Sequence, residues 1–244
     1  AIHRGRAQLL QQTALDAGPR GSEVAPVEDW RHCHALPASN RFVITEHFSP
    51  TPPLAMEIQH LIAKFPVDGP LGIDPATVVD VFHQWVAAQS VPGVVLIDVA
   101  ELLHVPDGPG VIAVGVEADL ALDHTGGAWG VLYRRKTMLP GTNAERVADA
   151  LKTAAQTGVR LQEAFPGALK FSTSEFELIV NDRGIAPNTP ETYAAALPEL
   201  EAALRTVLGH GDFKFTRHDA EPRQRFGVSV KSAKPFDLTA IAAR

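Results

Sequence analysis

The chain has 244 residues, 45% of them hydrophobic, with 28 acidic side chains against 22 Lys and Arg and a formal net charge of −6. That is globular composition, long enough for one domain, and its acidic balance argues against nucleic acid and anionic lipid surfaces as partners. The lone cysteine, Cys33, excludes an internal disulfide and a multi-cysteine metal centre, and no apolar stretch approaches the ~20 residues of a membrane helix.

Residues 1–55 read differently from the rest. They hold Cys33 flanked by His32 and His34, and only Ala7–Ala17 and Arg41–Phe48 look locally structured. The stretch ends in the breaker cluster Ser49-Pro50-Thr51-Pro52-Pro53 before Met56. It is expected to be a poorly structured leader or extension, with the natural start at Met56. A small N-terminal extension packed on the main domain is the alternative. No hydrophobic signal region occurs in AIHRGRAQLLQQ, so the cytoplasm is the expected location.

From Met56 the patterning is clean, and 56–244 reads as a single domain. Glu57–Phe65 fits either a strand or a helical turn. Asp74-Pro75 opens a helix by N-cap and first-turn proline, with Val78, Phe82, Trp85 and Val86 as its buried stripe, and Gln89–Gly93 ends it. A strand follows at Val94–Leu103, whose apolar run at 94–97 predicts cover on both faces. Val111–Asp123 reads as the next strand. His124-Thr125-Gly126-Gly127 is a hairpin turn, and Ala128–Lys136 is the third strand of a meander. Thr142-Asn143-Ala144-Glu145 is a capping box for a helix over about 143–164. Lys170–Asn181 is a further strand. Asn188-Thr189-Pro190-Glu191 starts another helix, which Pro198 breaks or restarts and Gly209 closes. Asp212–His218 and Gln224–Val230 read as a closing hairpin, with a weakly patterned tail. The order predicts an α+β fold: a largely antiparallel sheet of about five to six strands with a β-meander core and helices mainly on one face.

Three groups of residues offer chemistry. The turn His104-Val105-Pro106-Asp107-Gly108-Pro109-Gly110 is stiffened by two prolines. There His104 is a candidate base or ligand and Asp107 its orienting carboxylate. The bland reading is a well-specified β-turn. Glu117, Asp119 and Asp123 are placed on one strand face, near His124 and across the hairpin from His104, as a conceivable oxygen-rich metal site. Strand alternation alone predicts the same polar face, and no transition-metal spacing supports a metal, so none is assigned. Arg134 and Lys136 share one face at a strand end, suited to a carboxylate or phosphate. Such cations also serve as edge protection. Glu117, Arg134 and Lys136 are the candidate ligand-binding residues.

The strings Phe82-His83-Gln84-Trp85, Leu96-Ile97-Asp98-Val99-Ala100, His104–Gly110 and Leu132-Tyr133-Arg134-Arg135-Lys136 resemble a family of uncharacterised bacterial proteins over about Met56 to Val230. The resemblance implies a soluble one-domain protein starting near Met56 and carries no catalytic residue onto the chain. The phosphate-binding, dinucleotide-binding and serine-elbow signatures are all absent, so no cofactor is expected. Two functions remain. One is a non-catalytic domain binding a partner protein, a further copy of itself or a small anionic ligand. The other is a small-molecule or metal-dependent enzyme centred on His104 and Asp107, with Glu117 and Arg134 as neighbours.

Overall fold

The computed structural model describes residues 56–218, 221 and 223–244. The expectations for residues 1–55, including Cys33 and the two locally structured stretches, lie outside the described residues. The domain is α+β: eight antiparallel strands form one open sheet, accompanied by four helices. Strands β1 (Leu61–Pro66), β2 (Leu96–Leu102), β3 (Gly110–Gly115), β4 (Ala118–Asp123), β5 (Gly130–Arg135), β6 (Glu175–Val180), β7 (Phe213–Arg217) and β8 (Gly227–Ser232) lie in the order β2-β3-β4-β5-β1-β6-β8-β7. The meander β2 to β5 therefore fills one half. β1 is the seam, paired with β5 on one side and β6 on the other.

The strand count exceeds the expectation for two reasons. Leu61–Pro66 is a strand rather than a helical turn. The stretch read as one strand over 111–123 is two, folded back at Val116-Glu117. Gly115 permits the reversal, since a Cβ there would lie 2.2 Å from the Ala118 carbonyl oxygen. The run at 94–97 is also not covered on both faces. β2 is an edge strand, and Val95 and Ile97 stay exposed.

The helices follow their caps. Asp74 caps a short 3-10 turn at Pro75–Thr77, one turn ahead of α1 (Val78–Ala88), whose Val78, Phe82 and Trp85 are buried as expected. α2 (Asn143–Ala164) opens on a reciprocal capping box between Thr142 and Glu145. α3 (Pro190–Leu208) runs unbroken through Pro198 to a left-handed Gly209. α4 (Leu238–Ala242) lies in the tail where the pattern is weak. No described helix is long and apolar enough to cross a membrane.

Register decides what each face of the sheet does. Leu61, Ala63 and Phe65 pair with or neighbour Leu120, Leu122, Val131, Tyr133, Leu178 and Val180, and all of them join the core with α1 to α4. Their alternates along the same strands must point the other way. Those alternates are Ile62, Lys64, Asp119, Ala121, Asp123, Leu132, Arg134, Glu177, Ile179 and Ser229. Ile62, Ala121 and Ile112 are nearly fully buried yet stand outside the helix-side core. The second face is thus not a solvated polar surface.

Candidate functional site

A cleft of about 440 Å³ opens on that second face. Its floor is apolar, made by Ile62, Ile112, Ala121, Leu132 and Ile179. Charged and polar groups project into it from the same strands: Lys64 from β1, Asp119 and Asp123 from β4, Arg134 from β5, Glu177 from β6 and Ser229 from β8. His218, Gln224 and Arg225 close it from the β7–β8 connection.

Lys64 is fixed most firmly. Its ammonium donates to Asp123 Oδ2 at 2.7 Å, the Thr125 carbonyl at 3.0 Å and the Ala128 carbonyl at 2.8 Å. All three of its protons are used. Asp123 also accepts from the Thr125 amide at 3.1 Å and its hydroxyl at 2.7 Å. The pair ties β1 to the 123–128 hairpin. It is geometrically complete, so its role is to shape the cleft wall. Gly130 makes room for it, because a Cβ at that position would stand 2.7 Å from Lys64 Cε.

Asp119 collects both cations that the sequence places together. Arg134 donates through Nε at 3.1 Å and Nη2 at 2.6 Å to Oδ2, and Lys136 Nζ lies 2.7 Å from Oδ1. Lys136 also donates to the Gly115 carbonyl. Burial pushes the Asp119 carboxyl up, but the bonds from Lys136, Arg134 and the Gly115 amide prevail and hold it below its ordinary value. Arg134 and Lys136 guard no edge, since β5 is a central strand.

At the other end, His218 Nε2 lies 3.0 Å from Ser229 Oγ. Glu177 is the cross-strand partner of Ser229 on the same face. Burial lowers the His218 pKa below the usual imidazole value, against the opposing pull of Glu177, so the ring is neutral near pH 7.

Arg225 stands where the cleft meets a second, wider cavity of about 850 Å³, which we call the bay. Its one recorded side-chain bond is from Nη1 to Asn181 Oδ1 at 3.2 Å. No ion pair to it occurs among the described residues. Burial depresses its pKa, and the neighbouring Arg134 and Arg183 depress it further, Asp123 only partly offsetting this.

The predicted site residues do not converge. His104 and Asp107 are exposed on the β2–β3 turn and line neither cavity, although Pro109 of the same turn reaches the cleft. Asp107 takes a left-handed backbone, φ 50°. Glu117 sits in the β3–β4 reversal, not on a strand face, and its Oε2 is buried without a hydrogen-bond partner. Of the candidate ligand-binding residues Arg134 lines the cleft and Lys136 the bay, and of the carboxylates placed with Glu117 on one strand face Asp119 and Asp123 do line the cleft. His124 stacks on Trp129 at 4.4 Å between ring centroids. No group of three or more potential metal-ligating side chains occurs among the described residues. The residues missed were Lys64, Glu177, His218, Arg225 and Ser229. One signal was available: Lys64 interrupts the apolar run Leu61-Ile62-Ala63-Lys64-Phe65. No protein-family model matches the chain, and no curated protein matches it.

Proposed function

We propose that the protein binds a small organic anion on the sheet face opposite the helices, the apolar body lying on the cleft floor and the acidic group meeting Arg225. The observation that carries this reading is Arg225 itself: a half-buried guanidinium at the mouth of an apolar-floored cleft, flanked by two further arginines and paired with no carboxylate among the described residues. A half-desolvated charge without a counter-ion carries part of the cost of a buried one, and an incoming anion offsets it. Lys64 with Asp123 and Arg134 with Asp119 are satisfied internally, so these four groups orient rather than attract. Sites of this kind combine an apolar lining with a few placed polar groups.

The test uses anilinonaphthalene sulfonate, an apolar anion whose fluorescence reports entry into an apolar site. Saturable binding to the folded protein is expected. Arg225→Ala is expected to weaken it about tenfold, the loss of one charge-assisted contact, and Ser229→Trp to abolish it by filling the cleft. Unchanged binding in both variants, with their folding confirmed by circular dichroism, overturns the reading.

One observation favours a second reading, an enzyme. A serine hydroxyl lies within hydrogen-bond reach of a neutral imidazole in the same cleft, the pairing that activates a nucleophile. This moves a reaction centre from His104 and Asp107 to His218 and Ser229. A single fluorophosphonate adduct on Ser229, lost in His218→Ala, is the expected mass-spectrometric signature. An unmodified Ser229 leaves binding alone.

A further inference from the structure

We infer that the bay beside the cleft is a phosphate site, and hence that the ligand is a phosphorylated organic molecule with its phosphate in the bay and its organic part in the cleft. The two-part ligand rests on the binding reading above; the phosphate site stands on the bay alone.

The charge count comes first. Among the described residues the bay is lined by four arginines, Arg135, Arg183, Arg223 and Arg225, together with Lys136, which is paired with Asp119, and His60, whose ring lies against the one lining carboxylate, Asp182. This local excess occurs in a chain that carries more acidic than basic residues overall. The second point is how those cations are occupied. Among the described residues none of the four arginines forms an ion pair. The side-chain bonds recorded for three of them go to neutral oxygens: Arg135 Nε to the Thr137 carbonyl at 3.1 Å, Arg183 Nη1 to the Arg223 carbonyl at 2.8 Å, and Arg225 to Asn181. Each such bond uses one of five guanidinium protons and leaves the charge unneutralised.

The one carboxylate among the described lining residues forms no ion pair with an arginine. Asp182 Oδ1 accepts from the Gly184 and Ile185 amides at 3.0 and 3.2 Å, and Oδ2 lies 3.3 Å from His60 Nδ1. A third observation concerns His60. Its φ is 51°, a left-handed conformation that costs a non-glycine residue free energy and concentrates at functional sites. The strained backbone sets His60 on the bay wall, where its carbonyl accepts from the Asn181 amide at 3.0 Å.

One carboxylate ligand would satisfy one guanidinium fork and leave three arginines facing one another. A phosphate or diphosphate offers several charged oxygens to several forks at once, which is the geometry that arginine clusters recognise. A nucleic acid is a poorer fit, because its extended backbone would have to lie along an otherwise acidic molecule.

The experiment is calorimetric titration of the full chain with inorganic pyrophosphate near physiological salt. One saturable site per chain is expected, with Kd on the order of 10 μM. Arg183→Ala combined with Arg223→Ala is expected to weaken it at least about tenfold, and acetate at equal ionic strength not to displace it. No saturable heat, equal displacement by acetate, or unchanged affinity in the double variant overturns the phosphate site. Naphthyl phosphate then tests the two-part ligand. It is expected to bind about tenfold more tightly than inorganic phosphate, with the advantage lost in Ser229→Trp. Pyrophosphate binding without that advantage keeps the bay and refutes the two-part ligand. Sulfonate-dye binding without pyrophosphate binding keeps the cleft and refutes the bay. Tighter association with duplex RNA or anionic vesicles than with naphthyl phosphate refutes the small-molecule assignment.

Discussion

Replacing Asp123 by Ala tests the architecture of the cleft wall directly. In the folded protein the Lys64 ammonium is buried and has three acceptors, of which Asp123 is the only charged one. Removing the carboxylate strands a buried cation with two carbonyl partners, and breaking such a pair from one side costs about 3–5 kcal/mol. Lys64→Met breaks the pair from the other side: Asp123 is left as a buried carboxylate with only the Thr125 amide and hydroxyl as donors, so the cost is again about 3–5 kcal/mol. The combination of Lys64→Met with Asp123→Leu removes both charges and fills the space with apolar atoms, which brings stability back to within about 1 kcal/mol of the parent. Urea denaturation at pH 7 gives all three values, and for a domain of this size Asp123→Ala should lower Tm by roughly 6–20 °C. A cost below about 1 kcal/mol for Asp123→Ala, or a double variant no better than the worse single one, would refute the reasoning.

Further outcomes follow from the same geometry. Gly130→Ala should destabilise by about 1–3 kcal/mol in thermal unfolding, because its Cβ meets Lys64 Cε at 2.7 Å and the Phe65 carbonyl oxygen at 2.8 Å; a neutral result contradicts the close approach. Since the folded Asp119 carboxyl is held below its unfolded value, its contribution is complete above about pH 4 and disappears as pH falls through the folded pKa. The stability drop between neutral and acid pH should therefore shrink in Asp119→Asn, measured by urea midpoints. His218 has a folded pKa depressed below about 6.5, so its contribution is present above that pH and declines below it. Its imidazole resonances should titrate below pH 6.5, and lower still in Glu177→Gln; a titration at or above the ordinary value removes the neutral-imidazole argument.

The helices were legible because their signals are local. Thr142 and Glu145 satisfy one another within a single turn, and that is enough to set the start of α2. Pro198 shows where such local rules yield. α3 continues through it because Ala196, Leu200, Ala203 and Leu204 are buried on both sides of the proline, and their packing outweighs one missing backbone bond. The β3–β4 reversal was illegible for the opposite reason. It carries no Asn-Gly, Asp-Gly or proline signal, and Val116 and Glu117 look like strand residues. An isolated glycine inside an apolar run, Gly115, was the one mark of close backbone approach.

The candidate site was hidden by distance in sequence. Lys64 and Asp123 are 59 residues apart, and Glu177 and Ser229 meet only because β6 pairs with β8. Turn chemistry drew attention to His104 and Asp107, whereas register places the chemistry on strand interiors that a reading by local motif passes over. What alternation alone does give is a contradiction. β4 reads Ala118-Asp119-Leu120-Ala121-Leu122-Asp123, and every one of its residues is buried, both carboxylates included. A strand buried on both faces with two acids on one of them has to satisfy those acids across the sheet, and here Lys64, Arg134 and Lys136 do so. That face therefore could not have been a solvated exterior. Arg225 breaks the pattern: it is half-buried at the cleft mouth and lacks an acid partner within the described chain, and the missing counter-charge is the argument for a ligand.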